Sequence, residues 1–232
     1  MHTVLISGSN RGLGLEWARQ YAAAGWRVHA TCRNPEEAVS LQQLAGENPK
    51  VAVHRLDVTQ AEEIDQLCAE LGDAPIDLLV NNAGIYRERW GRDTLGQINY
   101  TDWLDTLAVN SLGPMRLSEA LIDNLAHSER RLIVAITSHM GSIAEIGSPN
   151  DSAYRSSKAA LNAAMKGLAL DVGSRGIGVL LLHPGWVRTR MGGEQAPLST
   201  QESVAGMRRL VAMYQPHQSG HFFRYDGSEI PW

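Results

Sequence analysis

Cysteine is scarce in this chain: Cys32 and Cys68 are the only two in 232 residues. They form no CxxC pair and no metal-ligand spacing, which excludes a disulfide framework and points to a reducing compartment. Lysine is scarcer than arginine, with only Lys50, Lys158 and Lys166. The net charge is −4 with a pI of about 6.1, so no broad basic field for nucleic acid exists. The eight histidines are scattered without an HxxxH or HExxH spacing, and no metal site is expected. Apolar runs reach about six residues, far short of the ~20 of a membrane-spanning helix. The chain enters Thr3-Val4-Leu5-Ile6 without a charged region ahead of a long apolar stretch, so no signal peptide is expected. These absences predict a cytoplasmic, globular protein.

What is present is an alternation. Short apolar runs at Thr3–Ser7, Arg27–Cys32, Val51–Leu56, Ile76–Asn81, Arg131–Thr137, Ile177–His183 and His221–Arg224 read as strands. Helical patterns at Gly14–Ala24, Pro35–Ala45, Ala61–Leu71, Thr101–Leu125, Ala153–Arg175 and Gln201–Met213 lie between most of them. Continuous apolar strands separated by amphipathic helices predict an α/β fold: a doubly wound parallel sheet of about seven strands with helices on both faces. No linker, repeat or low-complexity tract interrupts it, so residues 1–232 are expected to form a single domain. Ligands in such folds bind beyond the carboxyl ends of the strands, and those are the positions to inspect.

After the first strand comes Ser7-Gly8-Ser9-Asn10-Arg11-Gly12-Leu13-Gly14, then a helix. A GxxxGxG turn between strand and helix lets backbone N–H groups approach a diphosphate at a helix N-terminus. An ordinary glycine-rich turn is the bland alternative. Sites for NAD usually carry a carboxylate ~20 residues beyond the glycines. Here the second strand ends Thr31-Cys32-Arg33-Asn34 without one. Arg33 and Arg11 are placed to meet a 2′-phosphate, unless both are merely solvated loop residues. NADP(H) is therefore the preferred cofactor, with NAD(H) as the lesser candidate. Asp57 and Val58 follow the third strand, where adenine would lie. Asn81-Asn82-Ala83-Gly84 follows the fourth, where the backbone again comes close, though an asparagine there also caps a strand end.

Tyr154 and Lys158 lie four residues apart, ahead of an alanine- and leucine-rich helical stretch. On a helix they share one face. A fixed cation beside a phenol favours the phenolate, and such a tyrosine exchanges protons near neutral pH. Alone the spacing is a weak motif, equally met by an exposed tyrosine on an amphipathic helix.

The ordered set Gly8-xxx-Gly12-x-Gly14, Asp57, Asn81-Asn82-Ala83-Gly84, Asn110, Ser138, Tyr154-xxx-Lys158 and Pro184-Gly185-x-Val187-x-Thr189 resembles the short-chain dehydrogenase/reductase family along essentially the full chain. Ser7 stands where that family usually has threonine. Thr31–Asn34 and Gly227–Trp232 resemble its C-factor and sniffer-type carbonyl reductase branch. The resemblance implies NADPH-dependent reduction of a carbonyl. Tyr154 would be the general acid, and Lys158 would lower its pKa and bind the nicotinamide ribose. Ser138 would hydrogen-bond the substrate oxygen, Asn110 would hold a water of the proton relay, and Thr189 the carboxamide of the nicotinamide. It also implies that the helices Thr101–Leu125 and Ala153–Arg175 pair with their copies in a homodimer or homotetramer.

Two segments should frame a small-molecule carbonyl substrate. One runs from Trp186 through Met191 to Pro197, a short mobile lid; the other is Ile85-Tyr86-Arg87-Glu88-Arg89-Trp90-Gly91-Arg92. His139, Met140 and Ile146 would complete an apolar pocket, with His139 either lining it or turned to solvent. Ser138-His139 lacks the GxSxG setting of a hydrolase nucleophile. Two other functions stay open: a dinucleotide-binding signalling protein on the same fold, and an NAD-dependent alcohol dehydrogenase, which the missing carboxylate disfavours.

Overall fold

The computed structural model describes residues 1–88 and 94–232. Seven strands form one sheet: β1 (Thr3–Ile6), β2 (Arg27–Cys32), β3 (Val51–Arg55), β4 (Leu78–Asn81), β5 (Leu132–Ile136), β6 (Gly178–His183) and β7 (His221–Arg224). Their spatial order is β3-β2-β1-β4-β5-β6-β7, and every pairing is parallel. The chain builds outward from β1 to β3, returns to β4 on the other side of β1, and builds outward again. The switch in direction thus falls between β1 and β4, which places the ligand crevice there.

The strands read as unbroken apolar runs because both faces are covered. Successive side chains point to opposite sides. Val4, Ile6, Val80, Val134 and Leu182 meet Trp17, Tyr21, Leu41, Val204 and Met207 on one face. Leu5, Leu79, Ile133, Ala135 and Leu181 meet Ile64, Leu67, Leu117, Leu161 and Met165 on the other. The first set of helices is α1 (Gly12–Ala23), α2 (Val39–Glu47) and α8 (Thr200–Ala212). The second is α3 (Ala61–Leu71), α5 (Gly113–Ala120) and α7 (Ser152–Asp171).

The helix expected over Thr101–Leu125 is broken. It comprises α4 (Tyr100–Leu107), a widened π-turn over Ala108–Leu112, then α5 and α6 (Ile122–Ala126). The break has a covalent cause. Pro114 has no N–H, so it withholds the hydrogen bond that a regular helix would direct to the Asn110 carbonyl four residues earlier. The Gly113 N–H reaches back five residues to the Ala108 carbonyl, the spacing of a π-turn. Similarly, Pro35–Glu37 forms a short 3₁₀ turn ahead of α2 rather than one helix over Pro35–Ala45. Among the described residues no helix is long and apolar enough to cross a membrane, and no cluster of three or more His, Cys, Asp or Glu could hold a metal ion.

Candidate active site

The first βα turn is built to admit a ligand's charged group against bare backbone. Gly8 and Gly12 hold φ of 69° and 55°, in the left-handed region. At Gly14 a Cβ would stand 2.2 Å from the Gly8 carbonyl oxygen, so only glycine lets α1 start this close to β1. The loop after β4 braces the turn. The Asn82 amide donates to the Ser7 and Gly8 carbonyls at 2.9 and 3.0 Å. The Ser7 hydroxyl accepts the N–H groups of both Asn82 and Ala83 at 3.0 Å. Serine in place of threonine therefore keeps the hydroxyl that joins the ends of β1 and β4. Ser9 is buried with its hydroxyl on the Ile6 carbonyl, and Leu13 packs on the core, which leaves Asn10, Arg11 and Gly12 toward the crevice. Asn81 turns the other way, donating to Ser118 on α5 at 2.9 Å.

Arg11 and Arg33 are both exposed at this end of the sheet. Partial burial, then the charges of Arg190 and Arg33, draw the Arg11 guanidinium below its ordinary pKa. Three like charges thus share one region, an arrangement suited to a phosphate. Arg190 was not singled out from the sequence. It follows Thr189, whose Cγ2 lies 3.5 Å from where a Gly12 Cβ would be, so the segment after β6 reaches over the glycine turn. At the end of β3 the Asp57 carboxylate accepts from the N–H and hydroxyl of Thr59. The Val58 side chain is buried, where it meets the backbone at Gly113.

The carboxyl ends of β4 and β5 and the start of α7 bring Asn110, Ser138, Tyr154 and Lys158 together. Tyr154 and Lys158 lie one turn apart on α7, at 8% and 4% exposure, which removes the reading of an exposed tyrosine on an amphipathic face. Ser138 follows β5; its hydroxyl bonds the Tyr154 phenol and accepts the Met140 N–H at 3.1 Å. The Lys158 ammonium donates to the Ile136 carbonyl at 2.9 Å and lies 5.8 Å from the centre of the Tyr154 ring. Asn110 is fully buried in the π-turn. Its amide donates to the Ile85 carbonyl and accepts the Ile85 N–H, both at 2.8 Å, and donates to Ser157 at 3.0 Å. Gly84 sits against this group, 3.3 Å from the Asn110 Oδ1 and 3.7 Å from the Lys158 Nζ as measured from the position of an added Cβ.

One electrostatic expectation is corrected. Lys158 was expected to lower the phenol's pKa, yet burial pushes Tyr154 up to about 12, with the bond to Ser138 pulling down and the Glu88 carboxylate pushing further up. The ammonium donates to the Ile136 carbonyl, and burial draws Lys158 itself down to about 8.

At the substrate end, the His139 ring pairs with the Glu145 carboxylate and meets His183 edge-on at 5.9 Å. Met140 is half-buried, while Ile146, Trp186 and Met191 are exposed. The expected lid is tied down within itself. Val187 pairs with Leu198, the Arg188 N–H donates to the Leu198 carbonyl at 2.8 Å, and the Trp186 indole donates to the Gly192 carbonyl at 2.8 Å. Thr189 accepts the Gly192 N–H at 3.0 Å. Pro184 and Gly185 form the exit from β6, and the Pro184 carbonyl accepts from Ser203 on α8. Arg89, Trp90, Gly91 and Arg92 lie outside the described residues. Ser111 and Ser157 touch this group and were missed as site residues; Tyr86 and Glu88, expected only to frame a substrate, touch α7 directly. A serine on a helix carries no spacing signal that would mark it.

A family model described as short chain dehydrogenase matches residues 2–198. The chain belongs to that family of oxidoreductases. It is 42% identical over 158 residues to the C-signal of Myxococcus xanthus, covering 68% of this chain and 93% of that protein. The carbonyl reductase Sniffer of D. melanogaster superposes with a TM-score of 0.92 at 32% identity over the whole of both chains. The NADPH-bound carbonyl reductase from chicken fatty liver gives 0.92 at 31% identity, covering 100% of this chain and 99% of that one. The resemblance seen in the motifs therefore extends to the full fold.

Proposed function

We propose that this chain reduces a carbonyl to an alcohol with NADPH, using Tyr154 as proton donor. The observation that carries the reading is the buried Ser138–Tyr154–Lys158 set at the carboxyl end of β5 and the first turns of α7, beside a glycine turn flanked by arginines. The turn and the arginines fit a phosphorylated dinucleotide: a Cβ at Gly12 would meet only the Thr189 side chain, at van der Waals distance, and among the described residues no carboxylate is paired with Arg11 or Arg33. NADPH and NADP are bound in solved relatives of similar fold. Gly8 to Gly14, with Asn82, Ala83 and Gly84 opposite, would hold the diphosphate side. Pro184, Gly185, Val187 and Thr189 would hold the nicotinamide side. The cofactor supplies the hydride.

The protein must orient the carbonyl and deliver a proton. Ser138 and the Tyr154 phenol present two hydroxyls to one substrate oxygen, where negative charge grows as hydride arrives. A phenol held near 12 is fully protonated at neutral pH, the form that donates. When the proton leaves, the buried Lys158 ammonium is the nearby charge that stabilises the phenolate. Both ends of the Asn110 amide are spent on Ile85 and Ser157. Its expected part in a proton relay falls to its main-chain carbonyl, from which Pro114 withholds the regular helical partner.

A signalling role is the second reading, supported by the similarity to the C-signal. The intact, buried proton-donating set favours catalysis. The test is oxidation of NADPH by the purified protein against ketones, aldehydes and quinones. Turnover that Tyr154→Phe abolishes supports the reductase; tight NADPH binding with no turnover of any compound supports the signalling reading.

A further inference from the structure

The loop after β4 is anchored on the π-turn and grips the start of α7 at two points. The Asn110 amide fixes the backbone of Ile85. The Tyr86 hydroxyl donates to the Asp151 carboxylate. The Glu88 carboxylate accepts the Tyr154 N–H. Helices usually satisfy their first-turn N–H groups from the N-cap side chain. Here the N-cap is Asp151, which makes no such bond to α7. Its carboxylate is engaged by Tyr86 instead. Asn150 and Asp151 both hold left-handed backbone, φ 70° and 60°, immediately before α7. Asparagine and aspartate tolerate that region best, yet two in succession need outside support. The rings of Tyr86 and Tyr154 lie stacked, 4.3 Å between centres and 27° between planes.

We propose that Tyr86 is a positioning residue for Tyr154: its ring covers one face of the phenol, and its hydroxyl, tied to Asp151, holds that cover and the strained entry to α7 in place. This rests on Tyr154 being the proton donor. An aromatic ring stacked on the phenol fixes where the hydroxyl points, toward Ser138, and keeps water from that face. Among the described residues, the charged and titratable groups around Tyr154 are Lys158 on its own helix, Asp151 just ahead of it, and Glu88 and Tyr86 from the loop after β4; Ser138 lies opposite. Burial is the largest influence holding the phenol protonated. Uncovering the ring therefore eases ionisation.

The test compares Tyr86→Phe, Tyr86→Leu and Tyr86→Ala for carbonyl reduction, NADPH binding and the pH dependence of alcohol oxidation, which needs the phenolate. Tyr86→Ala should lower kcat about tenfold or more, as misplacement of a reacting group does, with the NADPH Kd unchanged in a fluorescence titration. The rise of oxidation rate with pH should move to lower pH in Tyr86→Ala. Tyr86→Leu fills the space without an aromatic face, so it should show the same shift and guards against simple loss of folding in Tyr86→Ala. Tyr86→Phe keeps the stack and should retain the wild-type pH profile while losing a few-fold in kcat through the freed Asp151. A wild-type pH profile and kcat in Tyr86→Leu overturn the proposal. Failure of the underlying assignment reads differently: there Tyr154→Phe itself would remain active.

Discussion

Lys158 donates its hydrogen bond to the Ile136 carbonyl at 2.9 Å, so the charge beside Tyr154 is anchored to the end of β5, two residues before Ser138. The Tyr154 phenol, the Ser138 hydroxyl and the Lys158 ammonium thus gather at one strand end. Lys158→Ala should lower both kcat and cofactor affinity, since it removes the charge and leaves the Ile136 carbonyl buried without its donor. Lys158→Met, which keeps the volume, should recover stability but not rate. Tyr154→Phe should lower kcat by ~10² or more with cofactor affinity retained. Steady-state kinetics with a parallel binding titration separates these outcomes, and near-normal rates in Tyr154→Phe would refute its role.

NADPH should bind more tightly than NADH, because Arg11 and Arg33 would meet the 2′-phosphate. A charge-assisted bond contributes about 1.5–3 kcal/mol, or roughly tenfold or more in Kd. Arg33→Asp should erase or reverse the preference. Equal affinity of the wild-type protein for both cofactors in a titration contradicts the argument.

Ser7 serves two N–H groups of the loop after β4. Ser7→Ala leaves both without that acceptor, a cost of about 1–3 kcal/mol, read as a fall in melting temperature of about 2–4 °C per kcal/mol. Ser7→Thr keeps the hydroxyl and should be close to wild type. A Ser7→Ala protein as stable as wild type would show that the hydroxyl is dispensable.

Acid should destabilise the fold through two histidines. Burial, then the neighbouring His54 and Arg27, draw His29 down to about 4. Burial, Arg224 and His139 draw His183 down to about 3. Both are neutral in the folded chain and titrate near 6.5 when unfolded. The unfolded chain therefore binds more protons below about pH 6.5. Their stabilising preference is complete above that pH and is lost progressively toward pH 4 and 3. Melting temperature should fall across this window, and less steeply in His29→Gln. An unchanged slope in that variant would show that His29, bonded to His54 at 2.9 Å, does not set the acid sensitivity.

Association through α4 and α7 is also expected. Tyr100, Leu104 and Leu112 are 67%, 68% and 52% exposed, an apolar surface that a partner helix would cover. Light scattering at micromolar concentration should give twice or four times 25.4 kDa; a single-chain mass refutes it.

The strands were legible because burial on both faces makes each an apolar run, and β2 and β7 fall on the expected residues. Tyr154, Lys158 and the glycine turn stood out because the chemistry proposed for them needs fixed spacing. The interruption after α4 was not, since Thr101–Leu125 keeps its helical pattern across Pro114 and only the missing N–H tells of the break. Tyr86, Glu88 and Arg190 reach the site through tertiary contacts, to which spacing along the chain is blind. The phenol's upward shift was misjudged for a related reason: the i, i+4 relation fixes which side chains are neighbours, not how deeply they are buried, and burial is the largest influence on the phenol.

The π-turn makes Ala108–Leu112 a segment of fixed length. It carries one residue more than a regular helix needs, and each residue turns a helix by about 100°. Deleting one would yield a more regular helix and a worse protein: α5 would rotate against α4, and Leu117 and the Asn110 amide could not both keep their places against the core and Ile85. Loops elsewhere can lengthen or shorten at small cost. In related chains, gaps should therefore accumulate around α4, α5 and α6 but stop short of these five positions.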